Sequence, residues 1–162
     1  MKVIGLIVLL LVAASAFVVI AGQAGMLSGK PPGDLGVHSG RLLPPKDTPN
    51  SVSSQSDLYP DHPQRPYASI APLPFQGNPE AALQKLGQIL KTTARTEIIL
   101  QQPDYIYAQC TTPLLKFTDD VEFWLDRSAG LIHVRSASRL GRSDFGVNRA
   151  RIEKIRAQFL TN

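Results

Sequence analysis

Apolar and polar positions divide the chain into three regimes. From Val3 to Gly22 every residue is apolar or small and none is charged. About 20 such residues can cross the hydrocarbon core of a bilayer as a helix. From Gln23 to about Arg65 periodicity disappears, and Gly, Pro, Ser and Asp dominate. Of 13 prolines, 11 fall between Pro31 and Pro79, which excludes regular helix or central strand over most of that stretch. Beyond it periodicity returns. Tyr67, Ser69 and Ala71 alternate with Ala68 and Ile70, predicting a short extended segment from Tyr67 to Phe75. Pro72 and Pro74 confine that segment to a sheet edge.

Asn78 is a good N-cap and Pro79 a good first helical residue. Ala82, Leu83, Leu86, Ile89, Leu90 and Thr93 follow at helical spacing, so an amphipathic helix is expected from Pro79 to about Thr93. Strand patterns come next: Thr96 to Leu100, Tyr105 to Thr112, a stretch from Leu115 that runs on through Val121, Phe123 and Leu125, and Leu131 to Ser138. A last helix is expected near Asp144, with Ser143 or Asp144 as cap and Asn148, Ile152, Ile155 and Phe159 on one face. The fold class is therefore α+β: a two-layer domain over 67–162, with about four antiparallel strands and two amphipathic helices on one face. Residues 1–24 form a transmembrane or signal segment. Residues 25–66 form a tether, of which 36–55 packs on the domain.

The turn Arg127-Ser128-Ala129-Gly130 sets a hairpin register. Pairing Asp126 with Leu131 aligns Leu125 with Ile132 and Phe123 with Val134, facing the helices. The other face then carries Asp120, Glu122, Trp124, His133 and Arg135, with Glu122 opposite Arg135.

The N-terminal run has two fates. It is a retained anchor, or a signal peptide cleaved at Gly22-Gln23-Ala24, a small-x-small site. Lys2 favours a cytoplasmic N-terminus, which puts the domain outside the cytoplasm. Cys110 is the single cysteine, so no intrachain disulfide forms. Its place in the alternation of Tyr105 to Thr112 makes it a small hydrophobe on the apolar face.

Formal net charge is +4, and the excess is local. Arg127, Arg135, Arg139, Arg142, Arg149, Arg151, Lys154 and Arg156 face only Asp144 and Glu153 within their stretch. Three chemistries fit the densest part, Arg135 to Arg151. Asp119, Asp120 and Glu122 are the candidate catalytic carboxylates, positioned by Arg135 and Arg139. Arg135, Ser136, Arg139, Arg142, Ser143, Asn148 and Arg149 are the candidates for binding an anionic ligand. The plainest alternative is that the arginines pair with Asp119, Asp120, Glu122 and Asp144 and fix the junction between last strand and last helix. Asp119, Asp120 and Glu122 with His133 have no ligand spacing of a known metal motif, so no metal is assigned. Phosphate-loop, zinc and Ser/His/Asp patterns are missing, and Gly141 and Gly146 do not make a dinucleotide fingerprint, so no cofactor is expected. Little exposed aromatic surface is foreseen, which argues against nucleic acid as a partner.

Phe117 to Asp126 (FTDDVEFWLD) and Leu131 to Arg156 (LIHVRSASRLGRSDFGVNRARIEKIR) resemble the uncharacterised DUF1499 family. Thr48 to Gln55 (TPNSVSSQ) is similar to that family's N-terminal signature, and the resemblance extends over most of Gly36 to Leu160. Pro45 and Ser51 stand where the family commonly shows cysteines, so no cysteine role carries over. The resemblance implies that Gly36 to Gln55 belongs to the domain, and it implies no activity. The expected function is a membrane-anchored cell-envelope protein with a binding or accessory role. Its location would be a bacterial inner membrane, single pass, with the domain on the periplasmic side. A secreted periplasmic form is the alternative. Its partners would be the membrane, an anionic ligand or an envelope protein. A small hydrolase or transferase and a structural subunit of an envelope complex are the alternatives.

Overall fold

The computed structural model describes residues 2–161. Helix α1 (Lys2–Gln23) is followed by a long irregular segment, strand β1 (Ser51–Ser53), a 3-10 turn (Ser56–Leu58) and the short helix α2 (Arg65–Ala68). Strand β2 (Leu73–Pro74), helix α3 (Pro79–Thr92), strands β3 (Thr96–Gln101), β4 (Tyr105–Thr111), β5 (Thr118–Asp126) and β6 (Leu131–Ser138), and helix α4 (Val147–Thr161) complete the chain.

The sheet is antiparallel, as alternation and short turns predict, but it has six strands rather than four. Its order is β1-β6-β5-β4-β3, and β2 also pairs with β6. The two additional strands lie in series along the outer edge of β6, β1 against Arg135 to Ala137 and β2 against Leu131 and Ile132. Segment Tyr67 to Phe75 thus begins in the turn of α2, becomes extended at Ser69, which bridges Ser53, and pairs with β6 at Leu73 and Pro74. Pro66 opens the single turn of α2, and Pro at a first helical turn costs no hydrogen bond. The β5–β6 register is the expected one, with Glu122 opposite Arg135, Trp124 opposite His133 and Phe123 opposite Val134.

Helix α3 starts where Asn78 and Pro79 place it, with the Asn78 side chain accepting the Ala81 N–H at 2.7 Å. Leu83, Leu86 and Leu90 of α3 and Ile152, Ile155 and Phe159 of α4 pack on Ile106, Cys110, Val121, Phe123, Leu125, Ile132 and Val134. This is the main core. Helix α4 begins at Val147, a little later than expected. Gly141, Phe145 and Gly146 have φ of 93°, 51° and 82°, values that a helix cannot contain, so residues 139–146 stay a loop.

The opposite sheet face is not open. The chain leaving α1 runs down it and back. Gly29 lies against Arg139 and Leu140, and Gly40 against Trp124. Pro44 then meets Arg135 and Asn50 meets Gly141 on the return. We call residues 29–50 the strap. Leu42 is buried in a second small core with Tyr105 and Tyr107, flanked by Leu35, Val37 and Trp124. Strap backbone is satisfied by side chains: Leu42 N–H donates to Gln55 Oε1 (2.8 Å) and Lys46 N–H to Ser51 Oγ (2.9 Å).

From Val3 onward helix α1 is exposed until its last turn, where Ala21 and Gly22 are buried. A Cβ on Gly22 would stand 2.5 Å from the Leu115 carbonyl oxygen, so only glycine allows that approach. Gln23 Nε2 donates to the Leu114 carbonyl at 2.7 Å.

Candidate functional site

Period-two alternation sends Asp119 toward the helices and Asp120 and Glu122 under the strap. Each carboxylate meets an arginine there. Arg151 of α4 holds Asp119. Arg139 grips Asp120 in bidentate fashion, Nε at 3.0 Å from Oδ2 and Nη2 at 2.7 Å from Oδ1. Arg135 Nη1 donates to Glu122 Oε2 at 3.2 Å. Both partners of the Arg135–Glu122 pair are almost fully buried, and so are Arg139 and Asp120. A buried charge is tolerable only when paired and hydrogen-bonded, and each carboxylate here accepts further hydrogen bonds. Glu122 Oε1 accepts Tyr105 Oη–H and the Gly36 N–H, both at 2.8 Å. Asp120 Oδ1 also accepts Tyr107 Oη–H at 2.6 Å.

Acidity follows from this packing. Burial first, then the Glu122 charge and its hydrogen bond, push the Tyr105 phenol far above its ordinary range. Burial and the Asp120 hydrogen bond push Tyr107 up as well. Both phenols therefore stay protonated as donors. Burial, reinforced by Arg135, lowers Lys46, whose Nζ donates to the Ser138 carbonyl at 2.9 Å. The Asp120 and Glu122 carboxylates thus have their oxygens engaged by guanidinium, phenol and backbone donors.

The ligand-binding candidates divide. Arg135 and Arg139 are committed to the pairs above. Ser136 donates to Asn148 Oδ1 at 2.5 Å, and Asn148 Nδ2 donates to the Asn50 carbonyl (3.1 Å) and to Ser138 Oγ (3.0 Å). Ser136 and Asn148 are fully buried, so they fasten α4 to β6 and the strap. Arg149 donates to the carbonyls of Tyr67 (2.6 Å) and Ser69 (2.8 Å). Arg142 and Ser143 are exposed. The seven residues therefore do not converge on one point.

Asp144 takes the N-terminal end of α4. Its carboxylate accepts the N–H of Gly146 (3.1 Å) and Asn148 (2.8 Å) and the Tyr67 hydroxyl. Burial raises its pKa, but these hydrogen bonds together outweigh burial and hold the carboxyl below its usual value. That carboxylate occupies the place where an anion would bind a helix terminus.

A cavity of about 320 Å³ lies beside the junction, walled by Phe117, Leu140, Phe145 and Val147, with Asp119, Ser138 and Asp144 among its polar lining. Asp119 is the one catalytic candidate that reaches it. Cys110 is buried on the apolar face, and burial pushes its thiol up, away from the reactive thiolate. Among the described residues, no three His, Cys, Asp or Glu side chains gather as a metal site.

Sequence reasoning did not single out Arg151, Tyr105, Tyr107, Lys46, Asn50 or Gly36 as parts of this network. Tyr105 and Tyr107 carried a usable signal. They alternate onto the same face as Asp120 and Glu122 of the neighbouring strand.

The model of a family described as protein of unknown function (DUF1499) matches residues 41–159. No curated protein and no solved structure matches the chain.

Proposed function

The chain belongs to the DUF1499 family, and on that footing we propose that it is a single-pass membrane protein whose domain serves as a binding or accessory module at the membrane surface. The observation that supports this most is the junction between α1 and the domain. Helix α1 has 22 residues and no buried residue from Val3 to Ile20. At 1.5 Å per residue it is about 33 Å long, enough for the hydrocarbon core. Its last turn is then fastened to the domain by Gly22 against Leu115 and Gln23 on Leu114. In this reading α1 is a retained anchor, and a cleaved leader would have no use for those contacts. The side is extracytoplasmic, after Lys2 at the start. A non-catalytic role fits the three carboxylates, each neutralised by its own arginine.

The test is extraction and mass measurement of the expressed full chain. Retention in membranes after alkaline carbonate, with an intact mass that includes α1, is expected. Release by carbonate, or a mature N-terminus after Ala24, overturns the anchored reading.

A further inference from the structure

We infer that the end of the domain nearest α1 is a bilayer-contacting surface: Leu114, Leu140 and Phe145 enter the apolar interface, while Lys116 and Arg142 meet anionic lipid headgroups. This rests on the anchored reading above. The antiparallel sheet brings the loop after β4 (112–117) and the loop after β6 (139–146) to one end, and α1 terminates at that same end. Gln23 reaches the Leu114 carbonyl at 2.7 Å, and Gly29 is packed on Arg139 and Leu140. A helix leaving a bilayer at Gln23 therefore holds both loops within a side chain's length of the lipid.

Those loops carry apolar side chains that the fold does not use. Leu114 is 58% exposed, Leu140 43% and Phe145 94%. Phe145 stands in left-handed backbone as well, with φ of 51°. A bulky residue there carries strain, and its ring makes up for none of it by packing within the domain. Strain of this kind persists where another contact uses the side chain. The far end of the sheet differs. Its turns are Pro103-Asp104 and Arg127 to Gly130, polar or small throughout.

Charge selects the occupant. Each loop pairs an apolar residue with a basic one two positions on, Leu114 with Lys116 and Leu140 with Arg142. The one acidic residue in either loop, Asp144, is buried and hydrogen-bonded. Apolar tips flanked by the exposed Arg142 and the half-buried Lys116 match an anionic membrane interface, where each basic residue near the surface adds to attraction. The cavity lined by Phe117 of one loop and Leu140 and Phe145 of the other lies between them, so the surface is concave, with apolar walls around Asp119, Ser138 and Asp144.

The experiment uses the full chain in vesicles of phosphatidylcholine with phosphatidylglycerol. Phe145→Trp is placed in a Trp124→Phe background, and Ser128→Trp in the same background reports the far end. Leu140→Trp serves as a second near-end reporter should Phe145→Trp misfold. Lipids brominated near the top of the acyl chain quench an indole only at close range. Loss of near-end fluorescence with none at Ser128→Trp is expected, with less quenching when Lys116→Glu and Arg142→Glu are added. Equal, absent quenching at both ends in vesicles that retain the protein overturns the contact surface alone. Failure of the full chain to float with vesicles overturns the anchored reading beneath it.

Discussion

Gly36 donates its backbone N–H to Glu122 Oε1 at 2.8 Å, joining positions 86 residues apart. Glu122 thereby ties three elements together, because the same carboxylate binds Tyr105 of β4 and Arg135 of β6. Glu122→Leu removes the acceptor for all three. It should destabilise the domain by about 3–5 kcal/mol, the usual cost of leaving a buried charge unpaired. Adding Arg135→Met should recover part of that loss, with the remainder belonging to the Tyr105 hydroxyl and the Gly36 N–H. Urea unfolding of both variants reads the difference, and a double variant no more stable than the single one contradicts the assignment.

Two arginines three positions apart should behave oppositely. Arg139 is buried on Asp120, so Arg139→Ala should cost about 3–5 kcal/mol. Arg142 is exposed, so Arg142→Ala should change stability by less than about 0.5 kcal/mol. Equal effects in thermal unfolding would mean that the Arg139–Asp120 pair is not a stabilising contact.

His133 makes stability depend on pH. Burial lowers its pKa, and the Asp126 carboxylate, 3.8 Å from Nε2, only partly offsets that. Ser54 Oγ accepts the Val134 N–H at 2.9 Å, which leaves its own proton for His133 Nδ1 at 3.2 Å. The folded ring is therefore neutral with the proton on Nε2. The unfolded chain takes up a proton first, at about 6.5. Stability should fall as pH drops below that value, through the lower folded pKa, and be fully present above it. His133→Gln should flatten this slope between about pH 7 and pH 5. An unchanged slope in denaturant titrations across that window refutes the account.

Cys110 should resist alkylation in the folded protein. It is 4% exposed and its thiol is raised by burial. Labelling by iodoacetamide should proceed only as the chain unfolds, and rapid labelling of folded protein would disprove its burial.

Sequence legibility tracked periodicity. Phe123 with Val134 and Leu125 with Ile132 align on either side of a four-residue turn, so the hairpin register is readable from the sequence. Asn78-Pro79 marked a helix start for reasons of capping alone. By contrast β1 and β2 hold three and two residues, too few for a period to show. The strap has no period because it is held by partners remote in sequence, Glu122 for Gly36 and Gln55 for Leu42. The carboxylate–arginine pairing was foreseen for Glu122 and Arg135, which face each other across one strand pair. Arg151 on Asp119 depends on the rotation of α4 over the sheet, which alternation within strands does not encode.

The strap also has a mechanical meaning. Once Gln23 has been pulled from the Leu114 carbonyl and Gly22 from Leu115, tension between α1 and the sheet must travel through it, since it is the covalent link between them. Within the strap the load then meets the Gly29 carbonyl on Arg139 Nη1, next Gly36 on Glu122, then Leu42 on Gln55. These contacts lie in sequence along a path that doubles back across the sheet face. They would have to fail one after another, from the anchor inward, before force reached the β1–β6 ladder. Loading from the C-terminal end of α4 bypasses all of them, so resistance to pulling should differ between the two ends of the chain.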